Sequence, residues 1–183
     1  LRRMWPLMDE ETQAAGYVVA PLEEARFNPV PGLLHKYTSR VLLTAAPHCA
    51  VHCRYCFRRH FDYAGNAPSR EDWRAAFDYI AADSRIGEVL LSGGDPLALS
   101  NRQLSWLLEQ AEAIPHVTTV RIHTRMTIVL PQRIDAELCA RLAASRLRVV
   151  LVSHCNHAQE LSSESKTSFQ MLVANGVTLL NQS

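Results

Sequence analysis

Apolar and polar positions fall into two alternating patterns after residue 39. RVLLTAA (40–46), EVLLSGG (88–94), TTVRIHTR (118–125), LRVVLVSH (147–154) and VTLLNQS (177–183) are short runs rich in β-branched and other apolar residues, and they predict five strands. Between them, SREDWRAAFDYIAADS (69–84), SNRQLSWLLEQAEAI (100–114), RIDAELCARLAAS (133–145) and SSESKTSFQMLVAN (162–175) carry apolar residues at helical spacing. Ser69 with Asp72 and Ser100 with Gln103 have capping-box spacing, and Gly176 after Asn175 marks a helix end. Strands that alternate with helices and read as nearly continuous apolar runs predict an α/β fold with a parallel sheet and right-handed crossovers.

Residues 1–39 break this rhythm. Pro6, Pro21, Pro29 and Pro31 predict an extension of loops and short helices wrapping the sheet, so the chain divides into 1–39 and a sheet-bearing part at 40–183. A parallel sheet that stops on VTLLNQS leaves an edge uncovered, which suggests a fragment of a longer protein. The alternative is a complete five-stranded sheet.

Composition narrows the classes. Of 183 residues, 48% are hydrophobic and 20% charged, with a net charge of +1, which gives no reason to expect binding to nucleic acid or a membrane surface. No apolar run approaches the roughly 20 residues that span a bilayer, and the start lacks the features of a secretory signal, so a cytoplasmic location is expected. Three of the five cysteines, Cys49, Cys53 and Cys56, fall within eight residues, which suits metal ligation in a reducing compartment better than a disulfide framework.

These three cysteines follow the first strand, at the end of a parallel sheet where ligands gather. Thiolates suit zinc or iron–sulfur clusters. A structural zinc site closes with four ligands, and His48, His52 or His60 would have to complete it. Three thiolates on a four-iron cluster leave one iron open to bind a small molecule. After the second strand, SGGDP (92–96) offers glycines that let backbone approach a ligand, and Asp95 to accept from an ammonium; it is also a plain turn sequence.

C-x-x-x-C-x-x-C with Tyr55 before the last cysteine resembles the radical S-adenosylmethionine enzymes. With LLSGGDPL, CRYCFRRHF, RIHTRMTIVLPQRI, HCNHAQE and GVTLLNQS, the chain from about residue 33 onward resembles their lysine 2,3-aminomutase family. HKYTSRVLLT, YCFRRHF and LLEQAEAIPHV are most similar to the bacterial branch that makes (R)-β-lysine from (S)-α-lysine for elongation factor P. The resemblance implies a partial (β/α)6 barrel, of which this chain supplies about five units. It also implies a [4Fe-4S] cluster, S-adenosylmethionine cleaved to a 5′-deoxyadenosyl radical, and pyridoxal 5′-phosphate carrying the migrating amine.

By the same resemblance, Cys49, Cys53 and Cys56 ligate the cluster. Gly93, Gly94 and Asp95 hold the methionine amine, while Arg125, His154 and Gln182 lie around S-adenosylmethionine. Arg58 pairs with the substrate carboxylate, and Lys36 and Arg40 meet the pyridoxal phosphate group. The family's Schiff-base lysine and substrate-ammonium carboxylates lie in a segment this chain lacks, so the fragment is expected to be inactive as an aminomutase. The implied partners are lysine, an electron donor such as flavodoxin or ferredoxin, elongation factor P with its lysyl ligase, and a second copy of the chain.

Other readings stay open: a free-lysine or glutamate aminomutase, a radical enzyme without pyridoxal phosphate such as a glycyl-radical activase, or a non-catalytic metal-binding module. Arg54, Arg58 and Arg59 also read as a solvated patch, and His154 and His157 as core or capping residues. Cys139 and Cys155 read as structural, and Trp73 and Trp106 as filling between helix and sheet.

Overall fold

The computed structural model describes residues 15, 16, 18, 23–56, 58 and 68–182. Six strands form one sheet in sequential order: β1 (Leu33–Tyr37), β2 (Arg40–Ala46), β3 (Glu88–Gly93), β4 (Thr119–Thr124), β5 (Arg148–His154) and β6 (Thr178–Gln182). From β2 to β6 every pairing is parallel. The order never reverses, which is barrel-type winding rather than the doubly wound kind.

Like the short helix Met126–Val129, strand β1 is not predicted by the sequence pattern. It pairs antiparallel with β2, Leu33 opposite Leu43 and Leu34 opposite Leu42, so the sheet begins inside the stretch expected to be loops and short helices. LLHKY is too short and too polar at its end to show alternation, and Pro29 and Pro31 just before it signal a break. Of the expected helices upstream, only the short turn Glu24–Phe27 falls within the described residues, and the rest of that expectation lies outside them.

The helices between the parallel strands are α1 (Arg70–Ala82), α2 (Asn101–Glu112), the short α3 (Met126–Val129), α4 (Ala136–Ala143) and α5 (Ser163–Ala174). Both expected capping boxes are made, with the Asp72 and Gln103 side chains returning to the backbone N–H of Ser69 and Ser100. After α5, Gly176 adopts φ +78°, its N–H bonds to Val173 O, and that of Val177 bonds to Leu172 O. That is a Schellman ending, and the left-handed position favours glycine.

Strand periodicity divides the sheet into two unlike faces. Val41, Leu43, Val89, Leu91, Val120, Ile122, Val149 and Leu151 are buried and join one core with Trp73, Phe77 and Ile80 of α1, Leu104 and Leu108 of α2, and Leu138 and Leu142 of α4. Cys139 lies in this core, and Trp73 stacks at 5.9 Å from Trp106, as expected. Each such fully buried leucine contributes about 2 kcal/mol. Of the alternate positions that make the other face, Leu42, Leu90, Arg121 and His123 are only partly buried, whereas Val150 and Val152 of β5 are buried. Among the described residues, no helix is long and apolar enough to cross a membrane.

Candidate active site

The C-terminal ends of all five parallel strands open into one cavity of about 280 Å³. The loop after β2 supplies Cys49, Cys53, Tyr55, Cys56 and Arg58; β3 supplies Ser92 and the turn Gly93–Gly94–Asp95. β4 and its end supply His123, Thr124 and Arg125; β5 and the residues after it supply His154 and Asn156; β6 supplies Gln182.

The cysteine loop and the glycine turn are bonded to each other. Gly94 N–H donates to Ala46 O at 2.8 Å and Asp95 N–H to His48 O at 2.9 Å, extending the β2–β3 ladder past both strands. The fit leaves no room for side chains. A Cβ on Gly94 would lie 2.2 Å from His48 O, and one on Gly93, whose φ is +99°, would lie 2.6 Å from Thr44 Cγ2. The glycines therefore seat the cysteine loop as well as clearing space beside the cavity.

Asp95 is buried and its carboxylate faces inward. It accepts from Thr124 Oγ1 at 2.7 Å, Arg125 N–H at 2.8 Å and Leu97 N–H at 3.0 Å. An ionised carboxylate has about four acceptor sites, so three are taken, two in fastening the end of β3 to the end of β4 and one in capping the turn Pro96–Ala98. Burial nonetheless pushes its pKa up, against the pull of these bonds. Thr124, not singled out by sequence, is part of this clasp.

The three thiols share the cavity wall. Burial pushes the Cys49 thiol up to about 12, helped by the negative charge of Asp95, Cys56 and Cys53. Mutual repulsion of this kind is what a positive metal centre relieves. Among the described residues, no three His, Cys, Asp or Glu side chains converge on one ion position. The residues do suit a cluster by their chemistry: three soft sulfur donors on one loop, beside a glycine turn with no Cβ to intrude.

Arg125 crosses from β4 to the cysteine loop, its Nη1 donating to Cys53 Sγ at 3.1 Å and Tyr55 Oη at 3.2 Å. Asn156 also donates to the Tyr55 hydroxyl. Arg58 is 8% exposed, so it is not a solvated surface arginine. It donates through Nη2 to Glu24 Oε1 at 2.7 Å, through Nε to Glu24 Oε2 at 3.0 Å and through Nη1 to Ser92 Oγ at 3.2 Å. A carboxylate is thus already on the arginine that the resemblance assigns to a substrate carboxylate. Glu24 gave no signal in sequence, because its partner lies 34 residues away.

His123 and His154 meet edge to face at 5.8 Å, and His123 Nδ1 lies 3.1 Å from Gln182 Oε1. Because that oxygen only accepts, Nδ1 carries the proton and Nε2 of neutral His123 is an acceptor. Nε2 of each ring is buried without a partner among the described residues. Burial lowers the pKa of both, that of His123 to about 4. His123 is a cavity residue that the sequence reading passed over.

Not every expected residue arrives here. Lys36 and Arg40 are exposed near the β1–β2 turn, over Phe27 and Tyr37 respectively. Arg40 precedes Ala46 by six residues, so it sits roughly 20 Å down the strand from the cysteine loop. His157 caps the turn Ala158–Glu160 through Nδ1, as its capping reading expects. Cys155 is half-buried, with its sulfur 3.5 Å from His157 O. The expectations for Arg59 and His60 lie outside the described residues.

The model of the Radical SAM superfamily matches residues 43–154, more than half of the chain and the whole span from the cysteine loop to His154. The chain belongs to the radical SAM superfamily. Membership implies a [4Fe-4S] cluster and S-adenosylmethionine, and the three thiols and glycine turn are the groups here that fit them. Among relatives, the chain is 51% identical over 174 residues to an L-lysine 2,3-aminomutase of Haemophilus influenzae, covering 95% of this chain and 52% of that protein. It is 48% identical over 183 residues to the protein so named in Escherichia coli, covering 100% and 53%. To that of Clostridium subterminale it is 41% identical over 179 residues, covering 97% and 43%. The chain thus spans about half the length of these curated relatives.

Proposed function

We propose that this radical SAM chain is part of a lysine 2,3-aminomutase that converts (S)-α-lysine to (R)-β-lysine for the modification of elongation factor P. The observation that carries the reading is the single cavity shared by Cys49, Cys53, Cys56, the Gly93–Asp95 turn and the buried arginine Arg58. The similarity to proteins named L-lysine 2,3-aminomutase supports the substrate class.

In this reading Cys49, Cys53 and Cys56 hold the cluster, which supplies the electron that cleaves S-adenosylmethionine. The glycine turn, Arg125, His154 and Gln182 border S-adenosylmethionine, and Arg58 receives the amino-acid carboxylate in exchange for Glu24. A guanidinium suits that exchange, since one planar fork accepts either carboxylate in the same geometry. Dependence on pyridoxal phosphate rests on the resemblance. The chain's two lysines, Lys36 and Lys166, do not line the cavity, so no step is assigned to that group here. An electron donor such as flavodoxin or ferredoxin, the lysyl ligase and self-association belong to the same reading, as does the division at residue 39.

Anaerobic loading with iron and sulfide tests it. The expected protein is brown, binds about four irons per chain, and after reduction converts S-adenosylmethionine to methionine and 5′-deoxyadenosine. A colourless protein with one zinc and no cleavage would establish the metal-binding module instead. Lysine supplied to the longer protein containing this chain should yield β-lysine, and glutamate should not.

A further inference from the structure

Arg125 is held at three points. Its backbone N–H is fixed by Asp95 Oδ2 at 2.8 Å, its Nη1 donates to Cys53 Sγ at 3.1 Å, and its Nη2 donates to Glu160 Oε2 at 3.2 Å. The two charged side chains are only 8% and 1% exposed. Arg125 Nε and Glu160 Oε1 are also buried without a hydrogen-bond partner among the described residues. A buried pair this incompletely satisfied is a poor way to gain stability, because desolvation offsets much of the attraction. Its placement gives it a different use. The guanidinium touches the sulfur of one cysteine of the loop through Nη1 and the carboxylate through its other terminal nitrogen, Nη2.

We infer that Arg125 and Glu160 act as a charge pair that sets the electron affinity of a cluster bound through Cys53. The inference rests on the cluster reading above. An N–H donated to a thiolate sulfur, together with a positive charge beside it, draws electron density from the ligand and favours the reduced cluster. Hydrogen bonds to the sulfurs and local net charge are among the levers that set such potentials. Glu160 opposes the effect by cancelling part of the arginine's charge. Asp95 is a positioning residue for the pair, since it clamps the backbone from which Arg125 reaches the loop. The low dielectric of the site strengthens both effects.

The test is an EPR-monitored redox titration of the protein loaded anaerobically with iron and sulfide, without S-adenosylmethionine or amino acid. Arg125→Gln should shift the one-electron equilibrium toward the oxidised cluster by at least tenfold, a midpoint about 59 mV more negative. Arg125→Lys, which keeps the charge, should shift it less. Glu160→Gln, which removes the opposing charge without touching the cysteine loop, should shift it the other way. A purely structural role for the pair would not reverse sign between the two residues. A change below twofold in both Gln variants, or a shift of the same sign in both, overturns the inference. If Arg125→Gln loses its iron, the sign of the Glu160→Gln shift decides alone. A wild-type chain that binds no cluster would overturn the cluster reading itself, which separates that failure from this one.

Discussion

At the scale of single residues, burial dominates the chemistry of this cavity. With the Cys49 thiol pushed from 9.0 to about 12, its thiolate fraction at neutral pH is about a thousandfold below that of an ordinary cysteine. In metal-free protein, mass spectrometry after brief iodoacetamide treatment at pH 8 should find Cys155 alkylated and Cys49 nearly untouched. Equal labelling of both would contradict the assigned burial. Loading with iron must then expel this proton, so cluster assembly should quicken as pH rises from 7 to 9.

His123 is also held neutral by burial, with the neighbouring His154 adding to the effect. Between pH 6.5 and 4 the unfolded chain binds the proton that the folded one refuses. Stability is therefore full above pH 6.5 and falls as pH drops toward 4, by about 2 kcal/mol after allowance for solvent screening. Chemical denaturation at pH 7 and pH 4.5 should show this loss in the wild type and a smaller one in His123→Gln. An unchanged slope in the variant would assign the loss to other groups.

At the scale of elements, the parts legible in sequence are those whose cause is local. Helix α2 announces itself through Ser100, Gln103 and its apolar spacing, and the structure builds the box that the spacing predicts. Removing either cap, by Ser69→Ala or Ser100→Ala, should cost about 1 kcal/mol and lower the melting temperature by roughly 3 °C in a thermal scan. What sequence does not show are bonds between distant elements. Arg133, at the turn before α4, donates to Leu97 O at 2.8 Å and Leu99 O at 3.0 Å, clamping the turn that follows Asp95. Arg125 and Cys53 are 72 residues apart, and neither their contact nor the Arg58–Glu24 pair leaves a periodic trace. Strand β1 was hidden for a related reason: its place is set by pairing with β2, not by its own alternation.

At the scale of the whole molecule, the parallel sheet collects its chemistry at one end and its packing on one face. The sequence showed the sheet, the five parallel strands and the residues at their ends, since position after a strand is enough to locate them. It did not show that Gly94 is required by the cysteine loop, because the requirement comes from the backbone of His48. Gly94→Ala should destabilise the chain by about 3 kcal/mol, lowering the melting temperature by roughly 10 °C, and should reduce iron content after loading. A variant with wild-type stability and iron content would show that the loop moves aside at no cost.

The bonding of the cysteine loop to the glycine turn also bears on protein engineering. Residues 47–56 are not a portable cassette: grafted onto another α/β scaffold, they would arrive without the surface that shapes them. A working transplant would carry the adjacent strand and its Gly-Gly-Asp corner as well, so the smallest transferable unit is two strands with both of their loops.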